Sequence, residues 1–236
     1  MLNKETLEYI VGLGTIDIYE ENGQQYSTSP LYLLEEPRAA HINIHSLSGL
    51  VEYLKSNFDG ECNLMVHVES PTEVTVFSNL NNDRKREYLI KATAMLPSFR
   101  YENWYDPETF NIKLQSGFVK NDDRDVVLKV VGNIKEEDVK TYGDNGVSQS
   151  VTAKVGVATV GQVEVPNPVS LAPYRTFVEV EQPTSNFVFR MKNGPASALF
   201  EADGGAWKLE AMKNIKSYLQ DELVQELEVG KITIIA

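Results

Sequence analysis

The chain has 236 residues, 42% of them apolar and 24% charged, enough to enclose a sizeable core and unlike a disordered composition. Its 34 acidic and 22 basic residues leave a net charge of −12, which repels phosphate backbones at long range and argues against sequence-independent nucleic-acid binding driven by counterion release. Such acidity serves solubility, or suits a decoy for a basic, DNA-binding surface on another protein. Cys62 is the only cysteine, so neither an intrachain disulfide nor a cysteine-rich zinc site can form. No apolar run approaches the roughly 20 residues that span a bilayer, and the start lacks signal-peptide character. A cytoplasmic protein without membrane association is expected.

Leu2 to Leu13 predicts a short helix with Asn3 as cap and Leu7, Ile10 and Val11 on one face. Residues 15–35 read as a hairpin: Ile16 and Ile18 alternate, Glu21-Asn22-Gly23 turns, Tyr32-Leu33-Leu34 returns, and Pro37 closes the unit. Between His41 and His45, alternation of Ile42 and Ile44 predicts extended chain. Ser46 to Phe58 predicts a helix with Leu47, Leu50, Val51, Leu54 and Phe58 on one stripe, stopped by Asp59-Gly60. Strands follow at 62–69, 72–78 and 86–95, a three-strand meander.

Asp106-Pro107-Glu108 opens the next helix, with Phe110, Leu114 and Phe118 on its buried side. Another starts at Asp122-Asp123, its face being Val126, Val127, Val130, Val131 and Ile134. From Gly146 the period becomes two, and Val147, Val151, Val155 and Val157 predict a long strand; Val163 and Val165 continue the theme. Pro166, Pro168, Pro173 and Pro183 make 166–183 an edge strand, bulge or ordered loop. That segment has few evident uses inside a monomer, and an exchanged arm or edge pairing between subunits would employ it. Phe187, Phe189 and Met191 form a strand, Asn193-Gly194-Pro195 turns, and a further strand ends at Phe200. The longest helix runs from Ala206 to about Leu227, and Ile232, Ile234 and Ile235 form a C-terminal strand. The predicted fold class is α+β: mixed, mainly antiparallel sheets, about five helices, and a long C-terminal helix packed on a sheet. A single domain is expected, with a soft boundary near 118–124.

The eight residues Phe200 to Trp207, Phe-Glu-Ala-Asp-Gly-Gly-Ala-Trp, carry the most information. A strand ends in two carboxylates, Glu201 and Asp203, and Gly204-Gly205 turns into a helix at Trp207. A helix N-terminus attracts anions, but these carboxylates would repel a phosphate unless a metal intervened. Divalent-ion chemistry centred on Glu201 and Asp203 is one reading; a tight corner in the fold is the favoured one. His41, His45 and His67 have no thiol companions for a zinc set, and no nucleophile elbow is present. Arg84, Lys85 and Arg86 form the single basic cluster, and with Arg100, Tyr101 and Trp104 would make a basic, aromatic patch for single-stranded nucleic acid. No metal, cofactor or catalytic set is indicated.

Four further stretches share a pattern with that corner: Gly143 to Val151, Val165 to Phe177 with its Tyr174 and Arg175, Glu181-Gln182-Pro183, and Phe187 to Arg190. In this order and spacing, from Val131 onward, the chain resembles the YfdQ-like proteins, an uncharacterised family of bacteriophages and prophages. A weaker similarity covers Ser46 to Lys55. The resemblance spans under half the chain. It implies early, non-structural genes near those for replication or recombination, and brings no catalytic residues. Residues and resemblance together give an expectation of a non-enzymatic phage or prophage accessory protein that assembles with itself, as a homo-oligomer, or binds a host or phage protein. The role would be DNA metabolism or evasion of host defence. A nucleic-acid-associated protein and a metal-dependent enzyme are the alternatives.

Overall fold

The computed structural model describes residues 3–21, 24–30, 39–60, 63–81, 84–132, 140–144, 149–155, 159–164, 167–192, 194 and 196–236, with backbone alone for residues 24, 140–144, 149–155 and 159–164. The chain divides into two compact units, Met1–Arg38 and Ala39–Ala236. The predicted soft boundary at 118–124 runs inside the larger unit, where it joins two helices.

In the small unit, α1 (Lys4–Leu13) is capped by Asn3, whose side chain accepts from the Thr6 N–H. It leads to an antiparallel hairpin of β1 (Ile18–Glu21) and β2 (Gln24–Ser27), pairing Ile18 with Ser27. The predicted return at Tyr32-Leu33-Leu34, together with Pro37, lies outside the described residues.

The larger unit runs β3 (Ile42–Ile44), α2 (Leu47–Ser56), β4 (Leu64–Ser70), β5 (Glu73–Ser78), β6 (Tyr88–Thr93), α3 (Pro107–Gly117), α4 (Asp122–Gly132), β7 (Lys140–Asp144), β8 (Gln149–Val155), β9 (Thr159–Glu164), β10 (Val169–Leu171), β11 (Ser185–Lys192), β12 (Ala196–Glu201), α5 (Trp207–Glu222), α6 (Val224–Glu228) and β13 (Ile232–Ile235). This is an α+β fold, with six helices among the described residues and α5 packed on a sheet. The predicted meander β4-β5-β6 is the middle of a five-stranded sheet ordered β13-β4-β5-β6-β3. Both outer strands join in parallel, β13 on β4 and β3 on β6. Alternation puts Leu64, Val66 and Val68 of β4 into a core completed by Leu47, Leu50 and Leu54 of α2 and Ile215 and Leu219 of α5.

A second apolar cluster lies between the antiparallel sheet β10-β11-β12 and the pair α3, α4. Phe110 and Leu114 of α3, Phe118, and Val127, Val130 and Val131 of α4 meet Phe187, Phe189 and Met191 of β11. Asp106 caps α3 by accepting from the Thr109 N–H, with Pro107 at its first position, as the sequence predicts.

The strand predicted from 147 is β8, the middle of a three-stranded antiparallel sheet with β7 and β9 in which Val155 lies opposite Thr159. Three expectations need correction. The stripe of α2 ends at Leu54, because Asn57 takes a left-handed backbone (φ 52°) and Phe58, 79% exposed, leaves the core. The long C-terminal helix breaks at Leu223 (φ −113°, ψ 29°) into α5 and α6. Residues 167–183 are no free arm. Val169 and Leu171 enter the second core, Phe177 and Val180 enter the first, and Thr176 donates its hydroxyl proton to the Pro71 carbonyl. Edge pairing is closed at Ser170, whose N–H donates to Asp123 Oδ2 and whose carbonyl accepts from Asn121 Nδ2.

Candidate functional site

The corner from Phe200 to Trp207 closes around a residue 26 positions upstream of Glu201. Arg175 leaves the proline-marked segment with its side chain 7% exposed. Its Nη1 donates to Glu201 Oε1 at 2.7 Å, and its Nη2 donates to Ser185 Oγ at 2.5 Å. The Ser185 hydroxyl in turn donates to Asp203 Oδ2 at 2.6 Å. The guanidinium lies 4.0 Å from the centre of the Trp207 ring and 5.5 Å from that of Phe187. A planar cation with forked donors suits this place, pairing with a carboxylate edge-on while stacking face-on.

The loop around Arg175 is fixed from behind by Gln182. Its side-chain oxygen accepts from the Arg175 and Thr176 N–H groups, and its Nε2 donates to the carbonyls of Phe177 and Val180. One buried amide thus satisfies four backbone groups of a loop that forms no ladder. Gly204 (φ 63°) and Gly205 (φ 81°) supply two successive left-handed residues at the strand-to-helix reversal. Asp203 Oδ1 accepts from the Gly205 N–H. The negative charge that a helix N-terminus favours is therefore provided by the protein itself.

Burial opposes ionisation of Asp203, yet the Ser185 hydroxyl, the Gly205 N–H, the Arg175 charge and the Trp207 N–H outweigh it and hold its carboxyl below the ordinary value of 3.8. Burial pulls the Arg175 guanidinium below its ordinary value, opposed by Tyr101, Glu201 and Asp203. Burial also pushes the Tyr101 phenol well above 10, so the ring stacked on Phe187 at 5.3 Å stays neutral. A depressed carboxylate contributes stability that is present above its unfolded value and lost as pH falls through its folded one. The native protein is therefore expected to lose stability below pH 3.8 more steeply than Asp203→Asn. Urea unfolding between pH 5 and pH 3 checks this, and equal slopes would remove Asp203 from the account.

Of the residues singled out from sequence, Arg175, Glu201, Asp203, Gly204, Gly205 and Trp207 come together here. Pro173 and Tyr174 sit on the opposite side of the same segment. Pro173 bridges Phe118, and the Tyr174 N–H donates to the Gly117 carbonyl, tying β10 to the end of α3. Pro168 is exposed, after a cis peptide bond from Asn167, and Pro166 lies outside the described residues. Arg84, Lys85 and Arg86 sit apart, in the turn before β6, where Arg84 has φ 58°. The other members of the predicted joint patch, Arg100, Tyr101 and Trp104, follow β6 in the chain. Tyr101 is occupied by Phe187, while Trp104 stacks with Lys192 at 4.5 Å.

Ser185 and Gln182 are not among the site residues the sequence predicts. Gln182 stands in the Glu181-Gln182-Pro183 stretch quoted above, and Ser185 opens a strand on its buried face. Cys62 is outside the described residues. Among the described residues, no three His, Cys, Asp or Glu side chains are placed to hold a metal ion. Comparison of the chain with family models, curated proteins and solved structures gives no match.

Proposed function

We propose that this chain is a non-enzymatic accessory protein of a phage or prophage that works in the host cytoplasm by binding a protein partner through its N-terminal unit. The observation behind this reading is that no described residue of that unit is buried. Leu7, Ile10, Val11, Tyr9 and Leu13 of α1 are each at least half exposed, and Ile18, Tyr19 and Tyr26 of the hairpin are exposed as well. At 100° per residue the apolar side chains of α1 cover an arc of about 200°. An exposed apolar face of this breadth marks an interaction site, and so small a unit buries too little to be stable by itself.

Charge narrows the partner. The described part of the unit carries Glu5, Glu8, Asp17, Glu20 and Glu21 against Lys4 alone, and Lys4 pairs with Glu8 at 3.6 Å. This acidic rim favours a partner surface that is apolar at its centre and basic at its edge. The basic part of that surface is shared with DNA-binding proteins of host or phage, which suits roles in DNA metabolism or evasion of host defence. The same rim disfavours an anionic lipid surface and sets carboxylate against carboxylate in a homo-oligomer. Containment of Glu201 and Asp203 by Arg175, Ser185 and Gly205 supports the non-enzymatic side of the reading.

Titration of the full chain with a synthetic amphipathic leucine–lysine helix, and with its leucine–glutamate counterpart, tests the proposal. Saturable binding of the first, weakened by salt, and none of the second is expected. Ile10→Asp makes the chain more acidic while removing an apolar contact. Non-specific attraction of the lysine peptide would rise in that variant, whereas docking on α1 falls by about 10-fold or more. Equal binding by Ile10→Asp, or a stable homo-oligomer in light scattering that buries α1, would overturn the proposal.

A further inference from the structure

A cleft of about 290 Å³ opens beside α3, far along the chain from the N-terminal unit and outside the Arg175 network. One wall is a single stripe of α3, Thr109, Ile112, Lys113 and Ser116, at the i, i+3, i+4, i+7 spacing of neighbours on one helix face. Pro97 and Phe99 make the opposite wall, so the lining is mainly apolar. Lys113 is its one charged residue.

That lysine is held in place. Its Nζ donates to the Ser98 carbonyl at 2.8 Å, across the mouth between helix and loop, and lies 5.5 Å from the centre of the Tyr105 ring. An ammonium has three donors and Ser98 takes one, which leaves two for another acceptor. A fixed cation loses little freedom when it meets an anion, whereas a free surface lysine must be immobilised first.

We infer that this cleft binds a small carboxylate with an apolar or aromatic body, the carboxylate on Lys113 and the body between Ile112, Pro97 and Phe99. The size fits the low end of small-ligand sites and suits about ten non-hydrogen atoms. A lone apolar wall would attract such a body without orienting it, and a lone lysine would attract any anion. Together they select an amphiphilic monoanion. This inference is independent of the reading of the N-terminal unit, since it uses no residue of that unit.

Titration of isotopically labelled full chain, followed by NMR, tests it with three probes of one shape: benzoate, benzamide and benzylamine. Benzoate is expected to shift the amide signals of Thr109, Ile112, Lys113 and Gly117 saturably, with half-saturation at or below about 10 mM. Benzamide should bind about 10-fold more weakly, and benzylamine not at all. Lys113→Met keeps the apolar stem and is expected to bring benzoate down to the level of benzamide. Ile112→Gln should weaken both neutral and anionic probes while leaving their ratio unchanged. Equal affinity for benzoate and benzamide, a benzoate preference that survives Lys113→Met, or no saturable shift around α3 would each overturn the inference.

Discussion

Arg175→Met is expected to lower the stability of the 39–236 unit by about 3 kcal/mol, which is about 6–12 °C in melting temperature for a domain of this size. Removing one member of a buried ion pair costs about 3–5 kcal/mol, because the partner is left uncompensated. The lower end applies here, since the Glu201 side chain is 39% exposed and water screens that half of the pair. Methionine matches much of the length of arginine, so the loss reports hydrogen bonds and charge more than volume. Two bonds disappear, Arg175 to Glu201 and Arg175 to Ser185, and with the second the orientation of the hydroxyl that serves Asp203. Arg175→Lys keeps the charge but has neither the fork nor the flat face that meets Trp207, and should recover less than half of the loss. Guanidinium chloride unfolding of the three proteins decides the matter. A loss under about 0.5 kcal/mol for Arg175→Met would show that the network is incidental.

Phe187→Ala is expected to cost about 4 kcal/mol, within the range for truncating a buried aromatic to alanine. Phe187 is fully buried on β11, the middle strand of its sheet. Its ring stacks on Tyr101 at 5.3 Å, meets the edge of Phe118 at 6.5 Å, and lies 5.5 Å from the Arg175 guanidinium. Truncation therefore opens a void in the second core and uncovers the hub at once. Collapse into the void is hindered, because Phe118 is bridged to Pro173 and Tyr101 belongs to a segment bonded to Leu199 through the Glu102 N–H. Phe187→Leu fills most of the volume and should cost about 1–2 kcal/mol. Because Arg175 and Phe187 touch, their substitutions are expected to be less than additive. Chemical unfolding with intrinsic fluorescence as readout measures all three, and an alanine variant within 1 kcal/mol of native would contradict the packing described.

Much of the fold can be read from local rules. Asn3, Ser46 and Asp106 each precede a helix whose first turn they cap, and the alternation of Phe187, Phe189 and Met191 identifies β11. What could not be read is long-range. The parallel addition of β13 to β4 joins residues more than 160 positions apart, and nothing in Ile232 to Ile235 specifies which edge it takes. The candidate site has the same character. Glu201, Asp203 and Trp207 stand out as a motif, and Arg175 stands out among prolines, but only the packing of β10 against β11 and β12 makes one the counter-ion of the other. Segments 167–177, 181–183, 187–190 and 200–207 meet at this hub through Arg175, Gln182, Phe187, Glu201 and Asp203. The apolar side chains of α1 were legible as a helix face, whereas their exposure was not.

The motif residues thus build the corner of the fold, and α1 is the binding surface we propose. The direct test is one titration with the leucine–lysine helix of the native full chain, Ile10→Asp and Glu201→Gln, each first shown to be folded by circular dichroism. Glu201→Gln is expected to bind as the native chain does, and Ile10→Asp at least about 10-fold more weakly. Weakened binding by Glu201→Gln together with native binding by Ile10→Asp would place the working surface at the acidic corner and contradict the account.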